Sequence, residues 1–404
     1  MGPGVDCGGA RLWNRSARRL VLRGLKSGQF LTVGQPDING AEQIRASRLD
    51  RTVLHGVFAS HVQADAPLSL SIGRLAPGAN DRIAESMSAL KVIARIGLHR
   101  AGGMHLPRRF RKGVRILTYH RFPAGDMDRF DRQCRHLRKA YEPVSMGDIA
   151  ASLQTGKPLP ANAVAITVDD GYKDFSECAA PVLKAHGLPA TVFLVSSFLD
   201  RVDALWWDPL LFAMNRTALS RIQFGDFGIV RTSTVSEREA AFEFVVRKLK
   251  GVPNHQRLSM LAETIESLDV PMPRGIPAGC EPMNWDEARL LRKHGIEFGG
   301  HTRTHPILSQ LETQAELTEE IVSCKQRMEQ ELGETPLHFA YPNGEAEDFS
   351  DAVVAAVKAA EFKTGVTTLS GLNSPCGDPF RLQRIVVDSS FPQEYFEEAV
   401  AGIH

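Results

Sequence analysis

From residue 114 onward, short apolar runs alternate with stretches of helical periodicity, and this rhythm most constrains how the chain can fold. Apolar runs without polar alternation are strands buried on both faces, which calls for a mainly parallel sheet covered by helices. Strands are expected at 114–119, 163–168, 191–195, 296–300, 338–341, 363–367 and 384–387. Helices are expected at 128–140, 146–153, 174–186, 286–294, 313–332 and 349–360, with Asp128, Gly187 and Gly295 as end signals. About seven strands with intervening helices fit an irregular (β/α) barrel better than an open sheet, although periodicity alone allows either. The stretch 199–281 breaks the rhythm and reads as a helical insertion covering one mouth of the barrel.

The first part of the chain is different. The formal net charge is +1, yet the first 115 residues hold 19 basic against 7 acidic residues, and the remainder 29 against 40. Residues 1–86 mix Gly, Arg, Ser and Pro without sustained periodicity, and are expected to be a disordered extension or an artefact of a start codon placed before Met87. Residues 87–113 contain no acid and place Leu90, Ile93, Ala94 and Leu98 on one helical face. They read as a basic amphipathic helix or linker, which either packs on the domain or meets an anionic membrane surface through 87–112. No apolar run approaches the ~20 residues of a membrane span. No signal sequence is evident, and the six cysteines are widely spaced, so a soluble cytoplasmic protein with reduced thiols is expected. The basic segment has no nucleic-acid-binding motif and little aromatic interleaving, so nucleic acid is not an expected partner.

The polar residues with chemical character all fall where strands end. His120 follows the first strand, Asp169 and Asp170 the second, His301 and His305 the fourth, and Tyr341, Pro342, Asn343 and Gly344 the fifth. Each has an ordinary reading: Asp-Asp-Gly as a turn, the histidines as loop residues, Pro-Asn-Gly as turn chemistry. In a parallel barrel, however, these ends meet on one face. One carboxylate with two imidazoles is a three-ligand set for Zn²⁺ or another borderline divalent ion. The second carboxylate is then free to take a proton from water, an arrangement suited to hydrolysis of an ester or amide.

The motifs TVDDG, HTRTH and YPNG, in this order, resemble the polysaccharide deacetylase family (carbohydrate esterase family 4, the nodulation-type chitooligosaccharide deacetylase homology domain), over roughly 115–387. The resemblance implies a distorted (β/α) barrel and a metal-dependent hydrolase that removes acetyl groups from N-acetylglucosamine units of a glycan, which is then the expected partner. It further implies Asp169 as general base, Asp170, His301 and His305 as metal ligands, and a backbone N–H at Tyr341 as oxyanion donor. Zn²⁺ is the expected ion, with Co, Ni, Fe or Mn as alternatives. Expected substrate contacts are Trp285, Pro342, Asn343 and Arg384, with Trp206 and Trp207 as weaker stacking candidates.

Two positions depart from the family pattern. Ala340 stands where many members carry an arginine that tunes the base, leaving Arg384 or Arg121 to supply the charge. No Leu-x-His motif follows the last strand, so His120 is the expected acid for the leaving amine, as in some exopolysaccharide deacetylases. A carbohydrate O-acetyl esterase and a catalytically impaired glycan-binding or assembly protein are the competing readings. A lipid-linked glycan at the inner membrane face would reconcile a cytoplasmic location with such a substrate.

Overall fold

The structure is a computed structural model describing residues 113–402. The extension expected over 1–86 and, apart from Gly113, the basic helix expected over 87–113 lie outside the described residues. In chain order the described strands are β1 (Arg115–Tyr119), β2 (Glu142–Pro143), β3 (Ala163–Val168), β4 (Ala190–Leu194), β5 (Arg221–Gln223), β6 (Ile229–Arg231), β7 (Ile296–Gly300), β8 (His338–Ala340), β9 (Thr364–Val366) and β10 (Ile385–Val386). Two compact units result: Asp203–Glu281, and the rest of the described chain.

The larger unit is built on one curled parallel sheet, ordered β10-β1-β3-β4-β7-β8-β9, with β2 added beside the start of β3. Leu382, just before β10, bridges Val366 of β9 in parallel, so the final segment joins the two edges of the sheet. This is the barrel expected from the alternation of strands and helices. β1, β3 and β4 at its centre are buried along their whole length, as a parallel sheet covered on both faces requires. β2, β5 and β6 were not expected from the sequence: each has an exposed residue, unlike the equally short β8, β9 and β10.

Helices cover the sheet and turn where their sequences dictate. The helix Met127–Ala140 buries Phe130, Gln133, Cys134 and Leu137, the i, i+3, i+4, i+7 stripe of one face. It starts at Met127, so Asp128 lies in its first turn and is not its cap. The helix Trp285–Lys293 is opened by a capping box between Asn284 and Glu287. Gly187, with φ 61°, closes Ala180–His186 as expected. Two expected helices contain π turns. In 174–186 the turn Phe175–Ala179 precedes Pro181, which cannot donate to the helical ladder. In 313–332 the turn is Glu319–Ser323.

The smaller unit holds helices Trp207–Arg216, Val235–Lys250 and Asn254–Ser267 and the antiparallel β5–β6 hairpin. Leu210, Phe242, Val245, Leu249 and Phe224 are among its buried residues. It begins after residue 199, because Ser196–Leu199 form a short helix of the barrel unit whose first N–H groups bond Thr302 and Arg303. No helix among the described residues is long and apolar enough to cross a membrane.

Sheet packing is tight at Gly299 of β7, where a Cβ would lie 2.6 Å from the Phe193 ring and 2.7 Å from the His338 carbonyl oxygen. Gly299→Ala is expected to lower stability by about 1–3 kcal/mol, as overpacking of a filled core does. Urea unfolding of the variant checks this.

Candidate active site

β3 ends at Val168 and the chain turns sharply, with Asp170 at φ 76° and Gly171 at φ 87°. A Cβ on Gly171 would meet Leu194 at 2.8 Å and Leu199 at 3.0 Å, so glycine is required on both counts. The turn brings the Asp170 carboxylate to the histidines beyond β7: its Oδ1 is 3.6 Å from His301 Nε2 and 3.7 Å from His305 Nε2. The ligand atoms of all three lie within 4.8 Å of one another, and all three residues are buried. His301 Nδ1 lies 2.8 Å from the carbonyl oxygen of Ala340. A carbonyl only accepts, so Nδ1 carries the proton and the Nε2 lone pair faces the cluster. Burial lowers the His301 pKa against the opposing pull of Asp169, which favours the neutral, ligating ring. One carboxylate oxygen and two imidazole nitrogens fit a divalent ion such as Zn²⁺ and leave coordination positions for water and substrate.

Asp169 faces a different set of groups. Arg384, fully buried, donates from Nη1 to Oδ1 and from Nη2 to Oδ2, each at 2.7 Å. Its Nε also donates to the Thr367 carbonyl and its Nη1 to the Thr167 hydroxyl. Burial alone would raise the Asp169 pKa, but the Arg384 charge and hydrogen bonds outweigh it and hold the carboxyl well below the ordinary range. His120 Nε2 stands 3.8 Å from Asp169 Oδ2. The structure therefore brings Asp169, Asp170, His120, His301 and His305 together.

Several expected roles are corrected. Arg384 is not a substrate contact, because it is fully buried and held by Asp169, Thr167 and Thr367; its charge meets Asp169, in place of an arginine at Ala340. Arg121 does not, since it pairs with Asp174 at 2.7 Å and lies over the Tyr172 ring. Tyr341 does not offer an oxyanion donor: its N–H bonds the Val366 carbonyl as β8 pairs with β9, and its hydroxyl bonds the Phe380 carbonyl. Trp285 is no sugar platform, being 8% exposed with Nε1 bonded to Asp200 and Arg327 over its ring. Trp206 and Trp207 are buried as well. Pro342 has no N–H, so the next donor along the turn is the N–H of Asn343, a buried residue at φ 59°. Both polar atoms of the Asn343 amide also lack partners among the described residues. Sequence reasoning missed Glu320, which bonds the loop between the two histidines and carried no signal within a run of helical acids.

The profile of the polysaccharide deacetylase family matches residues 156–223 and 244–365, which include the Asp-Asp-Gly turn, both histidines and the Pro-Asn-Gly turn. This region belongs to the polysaccharide deacetylase family. His120 and Arg384 lie outside the matched residues. The poly-beta-1,6-N-acetyl-D-glucosamine N-deacetylase of Escherichia coli K12 is 43% identical over 60 residues, 15% of this chain and 9% of that protein. The Bacillus subtilis relative YxkH is 33% identical over 86 residues, 20% of this chain and 31% of that protein. The chain thus spans less than a third of either relative. Among solved structures, IcaB of Ammonifex degensii is similar with a TM-score of 0.46 and 17% identity, over 73% of this chain and 98% of that one. The Streptococcus pyogenes deacetylase PplD is similar with a TM-score of 0.45 and 18% identity, over 68% and 92%.

Arg384→Gln would leave the Asp169 carboxylate buried without its paired cation, and is expected to cost about 3–5 kcal/mol of stability. Asp169→Asn in that background is expected to recover most of the loss, since no buried charge remains; urea unfolding of the four proteins of the cycle measures it. Because the folded carboxyl is held low, the pair's contribution is complete at neutral pH. It disappears as pH falls through the folded pKa, and the two single variants should lack that acid-dependent component.

Proposed function

We propose that the protein is a metal-dependent hydrolase that removes N-acetyl groups from N-acetylglucosamine units of a polysaccharide or oligosaccharide and releases acetate. The observation that carries this reading is the buried trio Asp170, His301 and His305 beside a carboxylate, Asp169, that is held ionised. Membership of the polysaccharide deacetylase family and the matched N-deacetylase of Escherichia coli support the substrate class.

Asp170, His301 and His305 would hold a divalent ion, which would supply Lewis acidity for activating water and the acetamide carbonyl. Asp169 accepts the proton of the attacking water, and Arg384 keeps both of its oxygens oriented and charged before the transfer. The Asn343 N–H donates to the oxyanion; a preorganised donor of this kind is worth roughly 2.7–4 kcal/mol. His120, as imidazolium, gives its proton to the departing nitrogen, so that an amine and acetate leave. The Asn343 amide is left to meet a polar group of the sugar. The same reading takes the glycan as lipid-linked at the inner face of the membrane, with the basic segment 87–112 against the anionic surface.

Acetate release from N-acetylglucosamine oligomers, with Zn²⁺ or Co²⁺ and then with a chelator, tests the activity. Release is expected to stop with the chelator. Asp169→Asn is expected to lose turnover but keep its metal, and His305→Ala to lose both. Release from acetylated xylan but not from the N-acetylated oligomers would replace this reading with an O-acetyl esterase.

A further inference from the structure

His301 and His305 stand at the two ends of a five-residue loop that could not keep its shape unaided. Thr302 and His305 both adopt left-handed backbone conformations, φ 68° and 57°, which side chains with a Cβ resist. One side of the loop is tied by the N–H groups of Ser196 and Ser197 to the carbonyls of Thr302 and Arg303. Internally, the Thr302 hydroxyl accepts the His305 N–H.

On the other side Glu320 makes the hydrogen bonds. Glu320 Oε2 accepts the N–H of Arg303 at 2.9 Å and of Thr304 at 2.8 Å. Its Oε1 accepts the Thr304 hydroxyl at 2.6 Å. Its backbone carbonyl also accepts the Arg303 N–H, at 3.0 Å. Glu320 is 7% exposed and pairs with no cation among the described residues, so its charge is met by these hydrogen bonds. It lies in the π turn Glu319–Ser323, inside a stretch whose periodicity predicts one uninterrupted α-helix. A π turn breaks the i→i+4 ladder and can free a carbonyl, and here the Glu320 carbonyl reaches the loop. The neighbouring Glu319–Arg303 pair is exposed and contributes little.

We propose that Glu320 is a positioning residue for the metal site. Its carboxylate and carbonyl clamp residues 303 and 304, fixing the span between the histidines so that both Nε2 atoms converge on Asp170. It thereby sets the affinity for the ion without touching it. This rests on the reading of Asp170, His301 and His305 as ligands.

The test is Zn²⁺ affinity of the chelator-stripped full chain, measured in competition with a chromophoric chelator, alongside the melting temperature of each metal-free protein. Glu320→Ala is expected to weaken Zn²⁺ binding by about 10–100-fold, the usual cost of losing an outer support of a ligand. Glu320→Gln is expected to restore most of the affinity, because its amide oxygen still accepts both N–H groups; a residue that only stabilised the fold would change melting without this split. Thr304→Val, which removes one donor, is expected to weaken binding by a smaller factor and carries the test if Glu320→Ala does not fold. Wild-type affinity in Glu320→Ala, or in Thr304→Val where that variant carries the test, would overturn the proposal. A wild-type protein that takes up no Zn²⁺, or an Asp170→Ala variant that binds it equally well, would instead overturn the metal site itself.

Discussion

The buried ion pair between Arg384 and Asp169 is the interaction on which the rest of the site depends. A carboxylate with only 2% exposure is costly to ionise, and here it stands beside a second carboxylate, Asp170. Arg384 resolves both difficulties by meeting both oxygens in a planar fork, while its other donors are absorbed by Thr167 and Thr367. The pair also links β3 to the segment that closes the sheet beside β1 and β9. A buried pair seldom adds net stability over apolar residues of the same volume, and its presence fits the proposed role of Asp169 as an ionised base.

Around that pair the barrel acts as a frame that brings distant segments to one place. His120, Asp169, Asp170, His301 and the turn at Asn343 follow the ends of four parallel strands, and each is fixed by contacts from a neighbouring strand or helix. The Ala340 carbonyl sets the His301 tautomer. The short helix Ser196–Leu199 and the π turn at Glu320 hold the histidine loop from two sides. Left-handed residues at Asp170, Thr302, His305 and Asn343 mark where the backbone is bent to present these groups, and strain of this kind concentrates at functional sites.

Much of this was legible in the sequence because it rests on local pattern. The unbroken apolar runs 163–168 and 191–195 announce buried parallel strands, and the polar residues after them stand out against that background. Residues whose function depends on distant partners were legible only in part. The alanine at 340 pointed to Arg384 and Arg121 alike, and nothing near Asp169, 215 positions from Arg384, shows which of them meets it. Trp285 looked available for a sugar because no local pattern reveals Asp200 and Arg327 waiting beside it. Tyr341 looked like a donor because the pairing of β8 with β9 consumes its N–H only in three dimensions. Glu320 is one acid in a helical run, and the π turn that aims it leaves no trace in hydrophobic periodicity.

In the proposed mechanism the Arg384 guanidinium keeps the Asp169 carboxylate ionised as the base. The most direct measurement is the pH dependence of kcat/KM for acetate release in the wild type and in Arg384→Lys, which keeps a positive charge but cannot span both oxygens. With the fork lost, burial raises the carboxyl pKa, so the acid limb of the profile is expected to move to higher pH in the variant. Superimposable acid limbs in the two proteins would contradict the claim.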